Sequence, residues 1–448
     1  MMLRTIAGGA LALAGFLFST FAIAADKPIT LEARFAQPVM KAGETQHNYL
    51  RIGLNGCKPE RTSNRTPVNV AFVIDRSGSM VGMRIAQARE AAIMAVNRLE
   101  PTDIASVVIF DDKIDVLVPA QKVTDRKYFI DRILQVGARG STAIYAGVTE
   151  GASEVRKNMD ARRLNRVVLL SDGLANVGPK SPLEFAQLGR ELLKEGISVS
   201  TIGLGKDYNE DLMLQLAKAG DGNHAFAAAP DDLIKIFNRE FDDVLASCAQ
   251  TVSIDIDLQP GARVVRAISR EGDITPAHAK FQLNQIYQET EHYILVEVEL
   301  DGKAAAAERD FGRVRVAYTI PETGAKQTLD TAIRGRFSAS AQEVKAHMDQ
   351  TVMGSVVEQT TRERAQKAVQ LRDQGKLDEA TTLFKANVAD IKSYLANGGK
   401  SSVELENLSA QYDSYASRAA AAAPAQWNLY RKQLRALDLK EAGSKSKY

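Results

Sequence analysis

From Asn69 onward the polarity of the chain alternates between two patterns. Residues 70–74, 104–110, 167–170 and 199–204 are apolar or mostly apolar runs of strand length. Residues 83–99 carry a helical stripe, Ile85, Ala88, Ala92, Ala95, Val96 and Leu99. Helical spacing recurs over residues 128–136, 143–159, 182–194, 211–219 and 231–246, with a short strand at 224–227. Residues 114–118 follow the polar turn Asp111-Asp112-Lys113 and read as an edge strand joined by a hairpin. Runs this apolar are buried on both faces. The pattern therefore predicts an α/β unit with a doubly wound, mostly parallel sheet from about Pro67 to Ala246.

On either side the period is two. Ile29, Leu31, Ala33 and Phe35 alternate with polar neighbours, as do Leu50, Ile52 and Leu54. The same holds for Val252, Ile254, Ile256 and Leu258, for Ile294, Val296, Val298 and Leu300, and for Val314, Val316, Tyr318 and Ile320. These are half-buried antiparallel strands, two before the α/β unit and at least three after it. One antiparallel β-sandwich with the α/β unit inserted between its strands accounts for both sets, because the ends of a compact domain often lie close together. From Ala339 the spacing is helical. Residues 362–371 and 377–395 flank a break at Gln374-Gly375, and further helices cover 403–422 and 427–437, the last anchored by Trp427. Gly375, Ala380 and Phe384 resemble part of a tetratricopeptide repeat, but with one partial copy a plain helical bundle is the better fit. The expected division is a signal segment (1–24), a β-sandwich (25–66 plus 249–338), the α/β domain (67–248), a helical region (339–439) and a disordered polar tail (440–448).

The signal assignment rests on Arg4, the largely apolar run 6–23 and the small residues of Ala22-Ile23-Ala24. A retained anchor is the alternative for a run of this length. No other apolar run approaches 18 residues, so a periplasmic or secreted protein without stable membrane insertion is expected. Cys57 lies shortly before the first α/β strand and Cys248 just after the last α/β helix. If the ends of the insertion meet, these thiols meet and form a disulfide; two unrelated buried thiols are the alternative. A formal net charge of +2 in 448 residues gives no argument for nucleic acid, and none of the five histidines is spaced as a metal-ligand pair.

The stretch "VAFVIDRSGSM" delivers Asp75, Ser77 and Ser79 to the end of an apolar strand. In an open parallel sheet ligands gather at the carboxyl ends of the strands. Asp172 follows a second strand, and Thr142, in "RGSTAI", lies in the loop opening a helix. Two carboxylates and three hydroxyls are hard oxygen donors. They suit Mg²⁺, Mn²⁺ or Ca²⁺ rather than Zn²⁺ or Cu²⁺. Gly78 is expected to let the loop turn tightly.

In order and context, Asp75-x-Ser77-x-Ser79, Thr142 and Asp172 resemble the metal-ion-dependent adhesion site of von Willebrand factor type A domains. "SDG" after one strand and "STIGLG" on the next extend the resemblance over the α/β unit. The outer architecture resembles bacterial exported proteins carrying such a domain and, more loosely, calcium-activated chloride channel regulators and inter-alpha-trypsin inhibitor heavy chains. The resemblance implies that Ser77, Ser79 and Thr142 ligate the ion, that Asp75 and Asp172 bind it directly or through water, and that a Glu or Asp of a protein partner fills the open position. Arg76, Met80, Met83, Arg139 and Leu174 to Val177 are then expected on the partner-binding rim. A site that only braces the fold, with partner binding by the helical region, is the alternative. Enzyme chemistry is disfavoured. Ser77 stands where a haloacid dehalogenase-type phosphatase needs a second Asp, and neither serine lies in G-x-S-x-G.

Overall fold

The computed structural model describes residues 28–58, 65–205, 210–227, 236, 247–268, 270–303, 308–421, 426–428, 430–431 and 444–446. The expected signal segment and nearly all of the expected helices at 231–246 and 427–437 lie outside these residues.

The chain enters through β1 (Thr30–Phe35), β2 (Val39–Lys41) and β3 (Gln46–Asn55). It then builds the α/β unit from β4 (Val68–Asp75), α1 (Met83–Arg98), β5 (Ile104–Phe110), β6 (Ile114–Lys122), α2 (Arg126–Leu134), α3 (Ile144–Arg156), β7 (Leu164–Ser171), α4 (Pro182–Lys194), β8 (Ile197–Leu204), α5 (Glu210–Ala219) and β9 (His224–Ala227). It returns through β10 (Ser247–Leu258), β11 (Ala262–Ala267), β12 (Asp273–Ile274), β13 (His278–Tyr287), β14 (Thr290–Leu300), β15 (Arg309–Thr319) and β16 (Lys326–Ser338). Helices α6 (Ala341–Ala346), α7 (Gln350–Asp373), α8 (Leu377–Ala396) and α9 (Val403–Ala421) follow, and Ser444–Ser446 forms β17.

The central sheet runs β6-β5-β4-β7-β8-β9, parallel except for the antiparallel edge strand β6. Every residue of β4, β5, β7 and β8 is buried, as apolar runs without alternation require. Val70, Phe72 and Ile74 pack with Ala88 and Ala92 of α1 and Phe129 of α2, whereas Ala71 and Val73 face Val148 and Ala152 of α3. β7 begins earlier than its apolar run because Asn165 and Arg166 also join the ladder. Asn69 Nδ2 donates to Asn165 Oδ1 (3.0 Å), and Arg166 Nη2 donates to Gln285 Oε1 (3.0 Å) of β13. The first contact ties β4 to β7; the second binds the α/β unit to the sandwich, where Asp221 adds an ion pair to Arg270 (2.7 Å).

The sandwich is formed by β1-β3-β14-β11, with β17 beside β14, and by β12-β13-β10-β15-β16-β2. Its pairs are antiparallel except β2 with β16. Leu50, Ile52 and Leu54 of β3 and Ile294, Val296 and Val298 of β14 meet Val252, Ile254 and Ile256 of β10 and Val314 and Val316 of β15. The three-residue β2 is too short to show a period, so the sequence pattern finds two leading strands where there are three. The tail also departs from expectation. β11 pairs with β14 only from Val296 onward, which leaves an edge at Thr290–His292 on which Ser444–Ser446 pairs.

α7, α8 and α9 form the helical region around Phe384, Ile391, Leu405, Tyr412 and Trp427. Trp427 is the expected packing anchor, its Nε1 donating to Asp373 Oδ1 (2.9 Å). Val352 and Val356 of α7 dock on Ala36, Tyr293 and Leu295 of the sandwich. Buried Arg51 pairs with Glu291 (2.8 Å) and donates from Nε to Ser355 Oγ (3.2 Å) across the same interface. Among the described residues no helix is long and apolar enough to cross a membrane.

At the neck of the insertion Cys57 and Cys248 form a disulfide with Cα atoms 5.9 Å apart, closing a loop with a sequence separation of 191. A loop of that length corresponds to at most about 5 kcal/mol in the chain-entropy model. The Cys57→Ser/Cys248→Ser protein is expected to melt several degrees lower than the oxidised wild type. Equal melting midpoints in calorimetry would show that the surrounding packing alone closes the neck.

A second expectation concerns pH. Burial holds the imidazoles of His224 and His292 down at about 4; for His292, Asp221 and Glu291 pull upward and Arg270 downward. Free histidine titrates near ~6.5. The unfolded chain therefore takes up protons that the native state refuses, and stability is complete above pH ~6.5 and falls as the pH drops toward 4, by at most ~3 kcal/mol per histidine. His292→Gln is expected to lose less melting temperature between pH 7 and pH 5 than the wild type does. An equal loss would remove His292 from the acid response.

Candidate functional site

β4 and β7 are adjacent, with Ile74 opposite Leu170, so their carboxyl ends bring Asp75 and Asp172 to one edge of the sheet. Both carboxylates are fully buried. Asp75 Oδ1 accepts from Ser77 N (2.8 Å) and Oδ2 accepts from Ser171 Oγ (2.5 Å), which in turn accepts from Gly173 N (2.8 Å). Asp172 Oδ1 accepts from Leu174 N (3.3 Å) and Oδ2 from Arg84 Nη1 (3.1 Å). Ser77 Oγ and Ser79 Oγ lie 3.1 Å apart. Ser171, absent from the candidate set, orients Asp75; its position directly before Asp172 was the available signal.

Thr142 is buried and its loop is held by its backbone. Thr142 N donates to Asn176 Oδ1 (2.7 Å), and its carbonyl accepts from Asn176 N (3.1 Å) and Val177 N (3.2 Å). Gly78 N donates to Gly140 O (2.9 Å), joining this loop to the one that carries Ser77 and Ser79. A Cβ at Gly78 would lie 3.2 Å from that carbonyl. Close approach of two loops, rather than an unusual φ, is what position 78 requires.

The polar turn after β5 is not solvated at Asp111. Asp111 is buried, with Arg139 Nε 2.9 Å and Arg76 Nε 3.0 Å from Oδ2, while Lys113 N donates to Oδ1 (2.7 Å). Burial opposes its ionisation, but the Lys113 amide and the two guanidinium groups prevail and hold its carboxyl below the usual range. Its carbonyl accepts from Ala143 N (2.9 Å), so Asp111 helps to set the Thr142 loop.

This geometry divides the expected rim. Met80 is 0% exposed, turned into the core below α1 by the 3-10 turn Gly78–Met80, and is not a rim contact. Arg76 is buried and committed to Asp111 and Asp115 (2.5 Å), so it too is removed from the rim. Arg139 is exposed but already paired with Asp111. Met83 is 69% exposed, and Val81, Leu174 and Val177 join it as exposed apolar side chains.

The donor set tests well against a divalent cation. Among the described residues there is no cluster of three His, Cys, Asp or Glu, so an ion held here would need the hydroxyls as well as the two carboxylates. Arg84 pairs with Asp172, whereas Asp75 is met by hydrogen bonds from Ser77 and Ser171, so the negative charge of a second buried carboxylate favours a cation. Burial, reinforced by Asp172, pushes the Asp75 carboxyl up to about 6 against the hydrogen bonds from Ser171 and Ser77.

A carboxyl raised in the native state contributes stability at low pH that is lost as the pH rises through about 6. Ionised Asp75 thus costs the metal-free fold up to ~3 kcal/mol at pH 8. Asp75→Asn is expected to melt higher than the wild type at pH 8 in EDTA, and the two are expected to converge near pH 4. A variant that melts lower at pH 8 would contradict this.

Residues 69–239 match the family model of the von Willebrand factor type A domain. The Synechocystis sp. protein named "Uncharacterized protein sll0103" is 26% identical over 295 residues, covering 64% of this chain and 69% of its own. Inter-alpha-trypsin inhibitor heavy chain H3 of Homo sapiens is 28% identical over 172 residues, 36% of this chain and only 19% of that protein. The solved structure of a von Willebrand factor type A protein from Catenulispora acidiphila shares the fold, with a TM-score of 0.72 at 16% identity over 92% of this chain and 97% of its own. The matched segment and the shared architecture lead to one conclusion: residues 69–239 are a segment of the von Willebrand factor type A kind, with the α/β fold of such domains, set into a β-sandwich and followed by helices.

Proposed function

We propose that Asp75, Ser77, Ser79, Thr142 and Asp172 hold one divalent cation, Mg²⁺ or alternatively Mn²⁺ or Ca²⁺, and that the rim around them binds a protein partner through an acidic side chain. What supports this reading is the pair of buried carboxylates at the carboxyl ends of β4 and β7, with the Ser77 and Ser79 hydroxyls side by side in the next loop and the Thr142 loop tied to that loop through Gly140. The cation would supply a Lewis-acidic position that an Asp or Glu of the partner completes. The partner's remaining contacts fall to the exposed apolar side chains Val81, Met83, Leu174 and Val177, which flank the site in sequence, with Arg139 beside the Thr142 loop. Methionine adapts readily to such a surface. We read the chain as a binding module, not an enzyme, exported to the periplasm or beyond. The disulfide and the N-terminal sequence support that location.

Titration calorimetry with Mg²⁺ and Mn²⁺ is expected to give one site per chain in the wild type and none in Asp75→Ala. Partner capture from envelope extract on the immobilised protein is expected to fail in EDTA and with Thr142→Ala. The backbone bonds of Thr142 to Asn176 and Val177 survive that substitution, so the rim keeps its shape while a hydroxyl is lost. Capture that survives both treatments would move the binding face to the helical region after Ala339.

A further inference from the structure

Arg84, the second residue of α1, reaches back across the loop that carries Ser77 and Ser79. Its Nη1 donates both to Ser79 O (3.0 Å) and to Asp172 Oδ2 (3.1 Å), and the side chain is about three-quarters buried. The next strand makes room for it. Gly205 follows β8 with φ +83°, and a Cβ there would lie 2.5 Å from Arg84 Nε. The guanidinium therefore occupies a seat formed by the ends of α1, β7 and β8, directly on one of the two buried carboxylates.

We infer that Arg84 is the internal counter-cation of this site: it neutralises Asp172 in the metal-free protein and competes with the divalent cation for that carboxylate, so that it sets metal affinity. The inference rests on the metal-site reading above. The reasoning is electrostatic. A guanidinium and a divalent ion on one poorly solvated carboxylate repel each other, and at hydrogen-bonding separations that repulsion exceeds the one charge-assisted bond that Arg84 contributes. The competing view is that Arg84 merely props Asp172 and the Ser79 loop in place. The two views differ in sign, since loss of a competitor tightens metal binding and loss of a prop weakens it.

The test is titration of the metal-stripped full chain with Mn²⁺, with melting curves on the same samples. Arg84→Gln is expected to bind Mn²⁺ roughly tenfold more tightly than the wild type, to melt lower without metal, and to recover most of that loss at saturating Mn²⁺. Arg84→Lys keeps the charge and is expected to stay within about threefold of wild-type affinity. Gly205→Ala crowds the guanidinium out of its seat while leaving Arg84 in the chain. It is expected to shift affinity in the same direction as Arg84→Gln, and it serves as the second variant should that protein fail to fold. Unchanged or weaker Mn²⁺ binding by Arg84→Gln, or equal shifts in the Gln and Lys variants, would overturn the inference and leave the metal site standing. Absence of Mn²⁺ binding in the wild type and in every Arg84 and Gly205 variant would instead defeat the metal-site reading, and the role of Arg84 with it.

Discussion

Two carboxylates side by side, out of water, at the ends of adjacent parallel strands are the constraint around which the α/β unit is arranged. Ionised groups at full burial are tolerated only when other groups or ions answer them. Ser171 and the Ser77 amide do this for Asp75, and Arg84 and the Leu174 amide for Asp172. These partners come from β7, α1 and the loops after β4 and β7, so the rim can be ordered only if the whole sheet is in register. The doubly covered sheet supplies that rigidity. Its strands are apolar on both faces, and the site draws on their geometry without drawing on their packing.

The part of this legible in the sequence was the part coupled to periodicity. Asp75 and Asp172 follow unbroken apolar runs, and an apolar run fixes where a strand ends. Ser77 and Ser79 lie in the loop that leaves the first of those runs, and Thr142 opens a helix. The sandwich strands declared themselves by alternation, as Val252, Ile254 and Ile256 illustrate. What escaped depended on pairings between distant positions. Asp111 beside Asp112 has the look of a wet turn until the fold brings Arg76 and Arg139 against it. Met80 follows a polar loop and invites an exposed reading, yet a single 3-10 turn rotates it beneath α1. Ser171 was visible in "SDG", but its bond to Asp75 exists only because β4 and β7 are neighbours.

The outer domains answer a different requirement. An insertion must begin and end at nearly one point, and the sandwich provides that point between β3 and β10. Polar contacts then fix the angle at which the insert sits: Arg166 to Gln285, and Asp221 to Arg270. On the far side, buried Arg51 ties the sandwich to α7 through Ser355. Arg431 reaches from the C-terminal segment to Glu210 of α5 (2.7 Å), so the helical region touches the α/β unit as well as the sandwich. The three parts meet through buried and half-buried hydrogen bonds and ion pairs as well as apolar packing.

The disulfide has a mechanical meaning beyond closure of a loop. Tension applied to the two ends of the chain would travel along β3 to Cys57, cross the sulfur bridge and continue into β10 from Cys248. Everything between those two cysteines lies off the path of the force. Under load the C-terminal helices and the sandwich strands would bear the strain, while the α/β unit would hang slack with its rim intact. A protein stretched at its ends would thus lengthen outside the bridge while the inserted domain stayed folded.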